Sequence, residues 1–222
     1  LITFPFFFFF LAGYLAAKRG MLPLEAIPGL HTFVLYFALP CMLYRFGAST
    51  PVAQLLDIAA VAVYLPCALI MVAATVRFSL NERVRWNDAS FGALVAAFPN
   101  TGFMGVPLLV ALLGAAAAGP AILTILLDLV ITTSLCIALS RLDGADEHGA
   151  AKAAKSALKG VAANPMPWAI LAGAAASWLQ IEPIKPVMQT IGLLADAASP
   201  VALFTIGAVL ARSQIVAARE AH

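Results

Sequence analysis

The chain has 222 residues, 63% hydrophobic and 11% charged, with a net charge of +2, a pI near 8.5 and a mean hydropathy of +0.97. Soluble domains run about 45–50% apolar and ~25% charged, so a water-soluble globular domain is excluded and an integral membrane protein is indicated. The basic residues sit in short loops rather than on one folded face, which gives no basis for nucleic-acid binding.

Seven apolar segments follow in chain order, at about 1–17, 28–46, 55–76, 89–113, 119–139, 161–180 and 187–211. Each reads as a transmembrane helix, and no segment has the period of a strand. The first lacks a basic n-region and is followed directly by Lys18 and Arg19, so it reads as a span whose beginning has been cut away rather than as a secretory signal. Cys41, Cys67 and Cys136 each lie within apolar segments without CxxC spacing, and buried thiols are expected rather than disulfides or metal ligands. The loops carry breakers and charges, and only the mixed-charge stretch near 140–160 is long enough to be a hydrophilic linker. Eleven of the thirteen Lys and Arg residues fall in alternate loops on one side, and only Arg45 and Lys185 fall on the other. The positive-inside rule then places the amino terminus outside.

The fourth segment is interrupted by Phe98-Pro99-Asn100-Thr101-Gly102-Phe103-Met104-Gly105-Val106-Pro107. Asn100 falls about halfway through a ~30 Å hydrocarbon layer. Pro99 cannot donate to the Val95 carbonyl, nor Pro107 to that of Phe103, so the helix is expected to break twice. Free backbone groups at that depth survive only where protein covers them or where they line a cavity.

Laying residues 1–48 over 161–208, an offset of 160, gives eleven identities without a gap. They include Pro5 on Pro165, Gly13 on Gly173, Pro23 on Pro183, Pro40 on Pro200 and Gly47 on Gly207, with Tyr44 opposite Phe204. Five spans separate the copies, so they run in opposite directions, the pattern of an inverted-topology repeat. The expected division is 1–139 as a first five-helix repeat, 140–160 as a cytoplasmic linker and 161–222 as the first two helices of a second repeat. The same offset carries the proline-asparagine motif to about 258–267, so three further spans of a ten-span protein are expected beyond this sequence.

The motif Phe98 to Leu109 followed by Gly114 resembles the auxin efflux carrier family, which includes plant PIN auxin carriers and bacterial malonate transporters. Asn164-Pro165 and the stretch Ala198 to Gly207 resemble that family's segments in the same order and spacing, so the resemblance covers essentially the whole chain. It implies an all-α membrane fold of two inverted five-helix repeats with proline-broken crossover helices, of the NhaA-like or bile acid transporter-like superfamily. It also implies carriage of mono- or dicarboxylates, substrate contact at Asn100 beside Pro99, and no long hydrophilic loop in place of 140–160.

The residues themselves suit that chemistry. An asparagine amide and the amides opening a half-helix together favour a carboxylate. Pro99, Asn100, Thr101, Gly102, Gly105 and Pro107 are therefore the candidate substrate-binding residues. The plainer role for Asn100 is to tie up carbonyls released by the prolines, and Gly102 and Gly105 serve equally well as helix-packing contacts. Asp128, deep in the fifth span, should be protonated, paired with another helix or facing water, and is the candidate for coupling to a proton or cation. Asp196 reads as a cap for the part of its span after Pro200, Arg45 as a side chain snorkelling to headgroups, with steering of anions the lesser alternative, and His31 as interfacial. Trp86 and Trp178 read as belt anchors.

The sequence holds no GxSxG, HExxH or P-loop pattern, which argues against an enzyme and calls for no cofactor or metal. The expected partners are a small organic anion, a coupling ion and the lipid bilayer, and a homodimer is compatible. An intramembrane enzyme and a channel or passive scaffold are the competing classes.

Overall fold

The computed structural model describes residues 3–55, 57–140, 155, 158–160 and 162–220, and these contain helices and turns but no strand. Helix α1 (Phe4–Lys18) opens with Pro5 in its first turn, where a missing N–H is harmless, and ends at Gly20, whose φ of 72° only glycine adopts freely. Helix α2 (Leu24–Ser49) follows Pro23 and widens into a π turn over Val34–Ala38, just ahead of Pro40. Helix α3 (Ile58–Ser79) is capped by Asp57, whose Oδ1 accepts the amides of Ala59 at 2.9 Å and Ala60 at 3.2 Å. Helix α4 (Trp86–Ala97) stops at the break, and α5 (101–113) begins as a π turn over Thr101–Gly105. After Gly114 come α6 (Ala115–Ser140), with a π turn over Asp128–Thr132, then α7 (Pro165–Trp178) and α8 (Lys185–Glu220).

Among the described residues each of the seven apolar segments is mainly helical, and four helical runs are long and apolar enough to cross a membrane: Leu24–Ser49, Val52–Ser79, Ala115–Ser140 and Lys185–Ala218. The chain is a multi-pass membrane protein. The fourth segment contributes two half-helices instead of one span. The second break expected at Pro107 does not occur. A π turn immediately upstream shifts the hydrogen-bond register, the Gly105 amide reaching the Asn100 carbonyl at 3.0 Å, and Pro107 then sits in the first turn of the helix that follows. Pro200 likewise does not end α8, which runs through it. Cys136 is buried as expected, whereas Cys67 lies exposed on α3 and Cys41 is half-buried. Most of the linker expected at 140–160 lies outside the described residues.

Two helix pairs pack closely, α1 on α8 and α7 on α2. Gly13 of α1 meets the Phe204 carbonyl of α8, and Gly207 of α8 meets the Phe10 carbonyl of α1. In the other pair Gly173 meets the Tyr44 carbonyl and Gly47 that of Ile170. A Cβ at any of the four would overlap the opposing oxygen, so only glycine lets the backbones touch. Shifting residue numbers by 160 converts the first pair of contacts into the second. α2 also packs on α8, which joins the pairs. α3, α4 and the end of α6 form a separate cluster around Val72, Ala93 and Cys136. The main core, including Leu43, Ile122 and Ile170, fills the space where α2, α6 and α7 meet, beside the break.

Candidate functional site

The break is built by three residues. The Phe98 amide closes α4 on the Leu94 carbonyl at 2.9 Å, and Pro99 has no N–H to continue it. Asn100, at φ −77° and ψ 54°, leaves the helical region. The chain then restarts, with the Met104 and Gly105 amides both reaching the Asn100 carbonyl, at 3.2 and 3.0 Å. The Thr101 amide turns back on the Pro99 carbonyl at 2.8 Å, and the remaining amides that open α5 carry partial positive charge beside the break.

The Asn100 side chain is exposed and makes no hydrogen bond among the described residues. It therefore does not perform the carbonyl-capping role open to it in the sequence. Its donors and acceptor are free for a ligand. Gly102 and Gly105 do not sit at tight helix crossings either: a Cβ at Gly102 would meet Met42 and Ile125 only at ordinary contact distance, and one at Gly105 only its own turn.

A cavity of about 210 Å³ lies against the break. Its wall holds Pro99, Asn100, Thr101 and Gly102, with Leu39 and Leu43 from α2, Met166 from α7, and Ile125, Asp128 and Leu129 from α6. Four of the six candidate binding residues thus share one space with the candidate coupling residue. Gly105 lines no part of this cavity. The Pro107 side chain lies outside the described residues.

Asp128 is 1% exposed. Tyr64 of α3 donates its hydroxyl to Oδ2 at 2.6 Å, and Thr132, one turn along α6, donates to Oδ1 at 2.9 Å. Thr133 donates to the Asp128 main-chain oxygen at 2.8 Å, which satisfies a carbonyl where the π turn begins. No basic side chain pairs with Asp128 among the described residues. The contact with another helix that was open from the sequence is present, through Tyr64. The spacing of Asp128 and Thr132, four residues on one helix, was legible in advance. Tyr64 carried no such signal, because its partner is 64 residues away and their meeting depends on how α3 packs on α6.

Two expectations are corrected. Asp196 does not cap a half-helix, because α8 is continuous there, and Arg45 does not reach for headgroups. Their side chains form an ion pair, Nη1 to Oδ1 at 2.6 Å, between α2 and α8. Both side chains are exposed, so the pair orients the guanidinium and contributes at most about 1 kcal/mol to stability. His31 is exposed and lines a separate apolar cavity with Thr205. Trp178 is exposed at the end of α7. Among the described residues no three His, Cys, Asp or Glu side chains cluster as a metal site would require.

Over residues 3–221 the sequence matches the family described as "Membrane transport protein", and the chain belongs to this family, that of the auxin efflux carriers. A "Putative malonate transporter" of Rhizobium meliloti (strain 1021) is 30% identical over 213 residues, which cover 95% of this chain and 66% of that protein. The chain therefore spans just under two thirds of the length of that relative.

Proposed function

We propose that this membrane transport protein is a secondary active carrier of small organic anions, mono- or dicarboxylates such as malonate, malate or auxin-like acids, working by alternating access. The observation that carries the reading is the unengaged amide of Asn100 at a mid-span helix break, facing a cavity it shares with Asp128. Asn100 donates to the substrate carboxylate, and the first amides of α5 add partial positive charge without a permanent cation. Asp128 is the coupling group. Two carboxylates repel in so small an apolar space, so proton entry at Asp128 and anion entry at Asn100 favour one another. The family and the name of the Rhizobium relative favour transport over catalysis.

The glycine contacts related by the 160-residue shift favour two inverted repeats, of which this chain holds the first and the start of the second. The one-sided distribution of basic residues favours a bacterial cytoplasmic membrane location with the amino terminus outside. An intramembrane enzyme fits poorly, because Asp196 is bound to Arg45 and does not line the cavity of Asn100 and Asp128. A homodimer is compatible with this arrangement.

Uptake of labelled malonate, malate and a monocarboxylate into vesicles tests the reading. Asn100→Ala should abolish substrate-dependent uptake while leaving the amount of protein in the membrane unchanged, and undiminished uptake would remove Asn100 from the site. Counterflow separates a carrier, which exchanges labelled for unlabelled anion, from a channel or scaffold.

A further inference from the structure

Arg45 and Lys185, the two basic residues that the topology sets apart from the other eleven, line the same cavity. They are 140 positions apart in the sequence. The cavity, about 740 Å³, lies where the ends of α2 and α7 meet the start of α8 and is separate from the one at the break.

Arg45 is held there by Asp196 through one guanidinium nitrogen, and a guanidinium carries five N–H donors in a fixed fork. The pairing therefore orients the group and leaves further donors for a second carboxylate. Lys185 has no ion-pair partner among the described residues. The turn between α7 and α8 brings Gln180 and Glu182 to the same wall, and Gln180 holds a φ of 51°, a left-handed conformation uncommon for a residue with a side chain. Gln180 thereby ends α7 as left-handed residues commonly end helices, the Ile181 amide reaching back to the Ala176 carbonyl at 3.0 Å. Glu182 opposes anions and, together with Asp196, balances the two cations, so any anion held here is held weakly and exchanges readily.

We propose that this cavity is a second binding site, for a small dicarboxylate, in which Lys185 takes one carboxylate and the remaining donors of Arg45 take the other. Two separated cations suit two carboxylates on one molecule and give a monocarboxylate only half the contacts. On the topology adopted above the cavity opens to the outer face, and it collects the anion before the broken-helix site receives it. The ligand class and the side of the membrane rest on the proposed transport function, whereas the site itself can be measured by binding alone.

The experiment is equilibrium titration of malonate, with acetate for comparison, into the purified protein in detergent. It is run in the Asn100→Ala background, so that the broken-helix site is removed. A malonate site should remain. Lys185→Gln should weaken it about tenfold, as expected for loss of one charge-assisted contact, and added salt should weaken it further. Glu182→Gln should tighten it severalfold, and acetate should bind at least about tenfold more weakly than malonate. Lys185 is exposed, so its replacement leaves the fold intact. Arg45→Gln combined with Asp196→Asn tests the second contact without leaving either charge unpaired.

Loss of all malonate binding in Asn100→Ala, or binding indifferent to both Lys185→Gln and the paired replacement, would overturn the second site. Uptake that depends on Asn100, together with malonate binding indifferent to these residues, would sink this inference alone. Malonate binding that depends on Lys185, in a protein that transports no organic anion, would uphold the site and sink the transport reading.

Discussion

Tyr64→Phe isolates a single hydrogen bond at the buried carboxyl of the site. The substitution removes the hydroxyl that donates to Asp128 Oδ2 at 2.6 Å and leaves the ring in place. That separation falls in the range of charge-assisted O–H···O bonds, and Asp128 is only 1% exposed. Hydrogen bonds to charged groups contribute about 1.5–3 kcal/mol in soluble proteins. Interhelical side-chain bonds within membranes average nearer 0.6 and reach about 1.7 kcal/mol, since the unfolded helices find other partners. A short, buried bond between α3 and α6 belongs at the upper end, so the expected coupling is about 1–2 kcal/mol. A double-mutant cycle of Tyr64→Phe with Asp128→Leu, read by reversible unfolding in mixed micelles, measures it. Additivity within about 0.3 kcal/mol would refute the argument, because residues that do not interact add to that precision.

Two further outcomes follow from the same contacts. Gly13→Ala and Gly173→Ala should each destabilise by about 1–3 kcal/mol in thermal unfolding, because the new methyl meets a carbonyl of the facing helix. Gly192→Ala, where a Cβ meets nothing within 4 Å, should be neutral or stabilising by up to about 1 kcal/mol, and equal effects at all three positions would reject the packing account. Asp128→Asn keeps a side chain able to bond Tyr64 and Thr132 but removes the titrating group. It should flatten the dependence of uptake on the proton gradient, and an unchanged pH profile would exclude Asp128 from coupling.

Much of this protein was legible in its sequence because a bilayer leaves few options for a backbone. Apolar stretches of about 20 residues are expected to be helices, and a proline beside an asparagine halfway along one of them marks a place where it can break. Asn100 could be singled out on that ground alone. The outcome at Pro107 could not, since a proline ends a helix or is accommodated by a widened turn according to how the residues before it hydrogen-bond. Pro200 shows the same ambiguity.

The partners of charged and polar side chains depended on packing. Arg45 and Asp196, 151 residues apart, each had a sensible local role that their meeting cancelled. Tyr64 was one aromatic residue among many apolar neighbours until α3 placed its hydroxyl against Asp128. The 160-residue offset lies between these cases: it was visible as matched prolines and glycines, but the sequence could not say which carbonyl each glycine meets. Sequence determined where the chain enters and leaves helical structure, because that follows from local hydrogen-bonding capacity and hydropathy along a single segment. Tertiary structure alone decided which side chains share a cavity, because that depends on the angle and depth at which distant helices cross, and at two crossings those are set by paired glycines that let one backbone rest on another.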